Sequence, residues 1–279
     1  MHALLLLPLV AQQPPVQRHP SRTGTIEVIE GFESKVLANK RRLWVYLPPK
    51  YKPSLDKYPV LYMHDGQNVF DGATSYIPNQ EWKADEAAEV LIDAGVIRPV
   101  IIVAIDNAGM DRGNEFLPTT ASMGSQKVGG KADRYTQMIT DEIMPLINGK
   151  YRTLTGPGNT AVCGSSFGGI ISLHIGLTRP DVFGMVAACS PSLWWDKKVM
   201  IQRFSDLKSK PKIKLWMDMG TGEGSDAVPD CNALDTVLRK KGWKANRDYR
   251  YVIDEGAQHN EVAWSHRFPA ILRFFFGIK

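Results

Sequence analysis

At 279 residues with 43% hydrophobic and 23% charged content, the chain can bury a large core, as one α/β domain or two small ones, and its composition excludes a disordered polypeptide. The net charge of +5, from 34 basic and 29 acidic residues, is mild and scattered. "NKRRL" (39–43) and "RKKGWK" (239–244) therefore read as solvated faces, with no nucleic-acid partner implied, although acidic or polyphenolic substrates remain compatible with the balance.

In chain order, "ALLLLPLVA" (3–11) is apolar, ends on a small residue and gives way to proline-rich polar sequence. It resembles the hydrophobic core of a secretory signal, and a frayed apolar tail is the alternative. The expectation is a signal-like segment over 1–11, a linker over 12–24 and a single catalytic domain over 25–279, in a periplasmic or secreted protein. No other stretch approaches the roughly 18 apolar residues of a membrane span.

"TIEVIEG" (25–31) and "RRLWVYLPP" (41–49) predict an antiparallel strand pair, ended by Pro48 and Pro49. Apolar β-rich runs follow: "YPVLYMHDG", "RPVIIVAID", "NTAVCG", "GMVAACSPS", "KIKLWMDMG" and "YRYVID". Helical patterns separate them: "EWKADEAAEVLIDAG", "ADRYTQMITDEIMPLINGKY", "GGIISLHIGLTRP", "CNALDTVLRKKGW" and the closing "RFPAILRFFFG". Continuous apolar strands between helices require a mostly parallel sheet covered on both faces. Such a sheet carries its chemistry in the loops at the strands' carboxyl ends.

Cofactor motifs fail on spacing. "GTGEGS" lacks a third glycine, "SQKVGGKA" lacks the first glycine and the Ser/Thr of a P-loop, and "HNE" has no downstream CxxC. The three cysteines, Cys163, Cys189 and Cys231, form no CxxC pair, and Cys163 and Cys189, inside apolar runs, read as small core residues. Neither metal nor cofactor is expected.

"CGSSFGG" (163–169) does carry chemistry. A nucleophile at a strand-to-helix turn sits in a strained backbone, and side chains two residues before and after it would collide. Ser166 has Gly164 and Gly168 at those positions, whereas Ser165 would have Cys163 and Phe167. A serine nucleophile needs a base. His2 and His19 lie in the N-terminal segment, His64 precedes the nucleophile, and His174 reads as a packed helix residue. His266 lies near the closing helix, so the order nucleophile, acid, histidine selects His259, in "EGAQHNE" after the last strand. For the acid, Asp218 lies inside a strand, which leaves Glu223 and Asp226 in the next loop. Glu223 is favoured for its place three residues beyond the strand, and Asp226 reads as a turn or capping residue.

With these segments in hand, the stretch from about Thr25 to Lys279 resembles the putative esterase family of the α/β-hydrolase superfamily. That family includes enterochelin esterase, esterase D, feruloyl and acetylxylan esterases, and mycolyltransferases. The resemblance rests on "YPVLYMHDGQNVFD", "IDNAGMDRGNEFLP", "GSSFGG", "SPSLWW", "GT" followed by an acid, and "GAQHNEVAW". It implies an α/β-hydrolase fold, a serine carboxylesterase mechanism and an acid at the position of Glu223, with small-molecule or carbohydrate-linked esters as substrates. An oxyanion would need two N–H donors, expected from the backbones of Phe167 and Gln67. Trp194 and Trp195 could wall an aryl or sugar group, and Arg112 and Glu115 read as an ion pair within their loop. The rival readings are acyl transfer of the mycolyltransferase type and a non-catalytic binding protein on the same scaffold.

Overall fold

The computed structural model describes residues 24–52 and 56–278. The signal-like segment at 1–11, and all of the linker except Gly24, lie outside the described residues. Eight strands form one sheet: β1 (Thr25–Ser34), β2 (Asn39–Leu47), β3 (Val60–His64), β4 (Ile101–Ile105), β7 (Thr160–Ser165), β8 (Met185–Cys189), β9 (Lys214–Gly220) and β10 (Tyr249–Asp254). Their order is β1-β2-β4-β3-β7-β8-β9-β10. β2 is antiparallel to both β1 and β4, and every later pairing is parallel. The N-terminal hairpin, with a bulge between Ile29 and Phe32, is the expected antiparallel pair.

β3, β4, β7 and β8 are buried at every residue, as their near-continuous apolar sequences require. Alternate side chains enter two separate cores. Val60, Tyr62, Val103 and Val162 join one, while Leu61, Met63, Ala104 and Cys163 join the other. The first is covered by α5 (Phe167–Thr178), α6 (Trp195–Ser205), α7 (Ala227–Lys240) and a helical run over 132–150. That run was expected as one helix, and it contains a π-helical stretch at Met138–Ile143 between α3 (Ala132–Gln137) and α4 (Met144–Lys150). The second core is closed by α1 (Ala84–Asp93) and α8 (Glu261–Phe276). α8 begins six residues before the predicted "RFPAILRFFFG", because the Asn260 side chain caps it by accepting from Ala263 N at 2.9 Å.

The remaining elements are α2 (Arg112–Phe116) and a short hairpin of β5 (Ala121–Met123) and β6 (Gln126–Val128). α6 has no helical signature at its start, where Asp196, Lys197 and Lys198 all adopt left-handed dihedrals. Cys163, Cys189 and Cys231 are buried and unpaired. No helix among the described residues is long and apolar enough to cross a membrane.

Two readings of charged residues require correction. Glu115 does not pair with Arg112. It is fully buried and holds Arg41, with Nη1 to Oε2 at 3.1 Å and Nη2 to Oε1 at 2.9 Å. Arg41 therefore leaves the "NKRRL" solvated face, since its position in β2 turns it inward beneath α2, where only a carboxylate can satisfy it. Replacing Glu115 with alanine leaves that guanidinium buried and uncompensated, a loss of about 3–5 kcal/mol. Urea denaturation is expected to show a lower midpoint with an unchanged slope. A midpoint within error of wild type would mean that the pair carries no such weight.

Candidate active site

β7 is the fifth strand of eight, and the chain leaves it through Ser166 at φ 60, ψ −122, directly before α5. This left-handed region is disfavoured for any residue with a side chain, and it persists only where the surroundings over-determine it. Ser166 N donates to Cys189 O at 3.0 Å, and Ser166 O accepts from Ser192 N at 3.2 Å. The turn is thereby pinned to β8 and the loop that follows it. A Cβ on Gly164 would stand 2.8 Å from both Gly168 O and His64 Cδ2. One on Gly168 would meet Asp65 Oδ2 at 3.3 Å. The glycine requirement inferred from the spacing is therefore steric, and it is more severe at 164.

His259 stands in the loop between β10 and α8, with Nδ1 2.6 Å from Glu223 Oε2. The acid lies three residues past β9, and two loops must nearly touch to make this bond. A Cβ on Gly220 would come within 2.2 Å of Ala257 O, and one on Gly222 within 2.2 Å of Gln258 Nε2. Glu223 folds back so that Oε1 accepts from Gly220 N at 2.8 Å and from Ser190 Oγ at 2.6 Å. Its side chain is 1% exposed. Burial pushes its carboxyl up, but the hydrogen bonds from His259, Ser190 and Gly220 outweigh that and hold it below its ordinary value. Asp226 is exposed at the N-terminus of α7 and makes no side-chain capping bond. Asp218 is buried in β9, where it accepts from Trp216 Nε1 at 2.6 Å and pairs with Arg267 at 3.2 Å.

Three supporting residues escaped sequence reasoning. Ser190 Oγ, besides donating to Glu223, accepts from Trp264 Nε1 and Arg267 Nη2, each at 2.9 Å. Arg267 is 5% exposed and lies within 3.2–3.7 Å of Asp218, Glu223 and Asp254. Trp264 packs edge-on against the His259 ring at 5.1 Å. The sequence signals were "SPS", with one serine positioned where β8 ends, and the tryptophan that closes "GAQHNEVAW"; nothing marked Arg267.

Among the described residues, Ser166 and His259 share no hydrogen bond. Ser166 Oγ lies 3.3 Å from Ser192 Oγ. Ser166 and His259 nevertheless face the same cavity of about 620 Å³, together with Gln67 and Arg112. Phe167 opens α5, so its N–H has no acceptor within the helix, and the helix dipole favours negative charge there. Gln67 lies in a 3₁₀ turn, Gly66–Asn68. Its Oε1 accepts from Asn107 N at 3.3 Å and its carbonyl from Thr74 Oγ1 at 2.7 Å. Arg112 forks onto Asp65, Nε to Oδ1 at 2.6 Å and Nη2 to Oδ2 at 2.8 Å, and this replaces the expected Arg112–Glu115 pair. Burial raises the Asp65 carboxyl, but the Arg112 charge and the bonds from Arg112 and Asn107 together lower it.

The other histidines are occupied elsewhere. His64 is buried against Tyr135, 3.0 Å from Nδ1, and burial pushes it down to about 3, with Arg112 adding and Asp65 opposing. His174 packs between Asp133 and Arg203, and His266 is exposed on α8. The two tryptophans part company. Trp194 is 54% exposed, whereas Trp195 is 1% exposed, so Trp195 cannot wall a ligand. It instead supports Trp194 and Phe167 from below, at centroid distances of 5.9 and 6.0 Å. No group of three or more His, Cys, Asp or Glu among the described residues could hold a metal.

A strained serine between the central strand of a mostly parallel sheet and a helix, with a histidine and acid on later loops, defines an α/β-hydrolase. Residues 34–275 match the family model described as "Putative esterase", and the chain belongs to that family. It is 27% identical over 245 residues to endo-1,4-beta-xylanase/feruloyl esterase of Xylanibacter ruminicola, covering 86% of this chain and 30% of that protein. It is 25% identical over 207 residues to ferri-bacillibactin esterase BesA of Bacillus subtilis, covering 68% of each. The crystal structure of BES protein from Bacillus cereus superposes with a TM-score of 0.72 at 21% identity, over 94% of this chain and 100% of that one. The protein is a carboxylesterase.

Gly164→Ala drives a methyl group into backbone that cannot yield, so it is expected to cut p-nitrophenyl acetate hydrolysis at least about tenfold and to lower the melting temperature. An alanine variant with wild-type activity would remove the steric account of the elbow. The Glu223 carboxyl supplies a pH test. Its folded value lies below the ordinary 4.5, so the unfolded chain is protonated first as pH falls. Its stabilisation is thus present above about pH 4.5 and lost as pH drops through the folded value. The stability gap between wild type and Glu223→Gln is expected to narrow between about pH 7 and about pH 3.5, measured by chemical denaturation. A gap that stays constant would mean that Glu223 gains nothing from its partners.

Proposed function

We propose that the protein hydrolyses carboxylic esters through an acyl-enzyme on Ser166, with His259 as general base and then general acid, and Glu223 as the third member. The observation that carries this reading is the 2.6 Å contact between His259 Nδ1 and Glu223, on a histidine facing the same cavity as the strained serine. As a carboxylate, Glu223 makes Nδ1 the donor, which leaves Nε2 free to accept the Ser166 proton. Turning Ser166 Oγ from Ser192 towards His259 completes the relay, a tightening that substrate binding commonly brings. The tetrahedral oxyanion then forms beside the N–H groups of Phe167 and Gln67. Donors that belong to the first turn of α5 and to a 3₁₀ turn would require little reorganisation in the transition state. Trp194 offers an exposed aromatic face to the substrate, with Trp195 as its support.

The stretch 25–279 acts as one catalytic domain on this reading, without cofactor. Small-molecule or carbohydrate-linked esters, as the names of the feruloyl and ferri-bacillibactin esterases suggest, are the substrate class. The apolar segment at 3–11 favours a periplasmic or secreted site of action.

Ser166→Ala is expected to fold normally, by circular dichroism, and to lose p-nitrophenyl acetate hydrolysis. Equal activity in mutant and wild type would remove Ser166 from the mechanism. Glu223→Gln retains the serine, the histidine and the oxyanion donors, so a loss of about 10²- to 10⁴-fold in kcat is expected. Asp226→Asn should cost at least about tenfold less than that. If the two come out the other way round, Asp226 is the acid.

A further inference from the structure

Glu261 is the first residue of α8 and stands two positions after His259. An acid in the first turn of a helix ordinarily serves the dipole from an exposed position. This one is 5% exposed, and it lines the cavity over Ser166 together with Gln67 and His259. No step of the reaction described above uses it. Burial is the largest influence on its carboxyl and pushes it up, with Asp65 adding, while its own N–H, His259 and Arg112 oppose. A carboxylate in such a place must be held by partners.

Its partner lies 193 residues away: Asn68 Nδ2 donates to Glu261 Oε1 at 2.8 Å. Asn68 ends the 3₁₀ turn Gly66–Asn68, and its N–H closes that turn by donating to Asp65 O at 2.9 Å. Gln67 sits inside the turn. The orientation of the Asn68 amide is fixed from the other side. Its Oδ1 accepts from Tyr76 N at 2.9 Å and Ser75 Oγ at 3.2 Å, so its N–H₂ group is the end that faces Glu261. The same two segments meet again through their tryptophans. Trp82, whose backbone N–H donates to Asn68 O at 2.9 Å, stacks on Trp264 with ring centroids 5.7 Å apart. Trp264 is the residue packed edge-on against His259.

We propose that Glu261 is a positioning residue, which acts through Asn68 to fix the turn bearing Gln67 against the loop bearing His259. This rests on the acyl-enzyme reading above. In that reading one tetrahedral centre is addressed from two sides at once. The Gln67 N–H meets its oxygen, while His259 Nε2 handles the proton. Three strands lie between β3 and β10 in the sheet, so strand pairing alone does not set the spacing of the loops that follow them. The buried amide–carboxylate bond, beside the indole stack, sets it. An error in that spacing weakens the transition state and leaves the bound ester largely unaffected.

The test reads geometry at the reacting centre in variants that fold by circular dichroism. Glu261→Ala is expected to lower kcat for p-nitrophenyl acetate about tenfold or more, with KM changed less than about twofold. A trifluoromethyl ketone supplies a second readout. Ser166 Oγ adds to its carbonyl carbon, the serine proton passes to His259, and the hemiketal oxyanion is left at the N–H donors. Its inhibition should weaken by about the same factor as kcat. Glu261→Gln keeps an acceptor for Asn68, so kcat is expected to return to within about threefold of wild type. Asn68→Ala breaks the same bond from the other side, so the result does not hang on one variant. The double variant should lose no more than about twofold beyond the worse single change, because both act through one bond. Unchanged kcat and ketone inhibition in Glu261→Ala, even with a lower melting temperature, would make it a structural acid and overturn the proposal. A rise in KM alone, a glutamine variant as poor as alanine, or losses that multiply in the double variant would overturn it too. Absence of p-nitrophenol release from the wild type would instead take down the acyl-enzyme reading, and the positioning role with it.

Discussion

The backbone of Ser166 is the constraint on which the rest of this molecule depends. A serine at φ 60, ψ −122 is held only because everything around it is fixed: β7 sits mid-sheet, β8 accepts its N–H, and the loop after β8 donates to its carbonyl. Parallel neighbours on both sides bring the ends of β3 and β8 to the same edge. His64 at the end of β3 and Asp65 just beyond it stand against the elbow, leaving no room for a side chain at 164 and little at 168. Strain here is stored against a large, rigid, doubly covered sheet, and such a sheet is what keeps one hydroxyl projecting into open space.

A second requirement is electrostatic. The acid beside His259 is almost wholly buried, and an unpaired carboxylate there would take up a proton instead of orienting an imidazole. Glu223 is kept ionised by its donors, the His259 imidazole, one serine hydroxyl and one backbone N–H, and the Arg267 guanidinium lies 3.7 Å away. Arg267 in turn lies against Asp218 and Asp254. The buried carboxylate of β9 and the candidate acid of the next loop therefore share one cation from α8. Ser190 joins this group to the elbow, since it follows the strand that pins Ser166. The Gln67 side of the cavity has a parallel arrangement, in which Arg112 and Asn107 both bind Asp65 and Asn107 also reaches Gln67.

The sheet and the elbow were legible because both are written locally. Apolar runs such as "VLYMH" and "MVAAC" can only be strands buried on both faces, and the glycines flanking Ser166 are a steric statement readable at a spacing of two. The contact between His259 and Glu223 was legible because chain order restricts the candidate base and acid to two loops. What escaped is long-range. Arg112 finds Asp65, 47 residues away, and Arg41 finds Glu115, 74 away; nothing in "NKRRL" distinguishes the arginine that turns inward from the one that does not. Trp194 and Trp195 are identical in type and adjacent, and their opposite exposures stand just before a left-handed turn at 196–198, which no propensity announces. The early start of α8 rests on the Asn260 cap, which a reading of the closing helix from the apolar spacing of "RFPAILRFFFG" leaves out.

The central claim is that the strained serine, and no other hydroxyl at this edge of the sheet, is the nucleophile. It is tested most directly by reacting the wild-type protein with a fluorophosphonate and mapping the adduct by peptide mass spectrometry. Three other serines, at positions 165, 190 and 192, lie close enough to compete. A single phosphonyl group on Ser166, prevented by prior incubation with a slow ester, is the result this account predicts. Labelling of one of the other three, or full ester hydrolysis by protein that takes up no label, would contradict it.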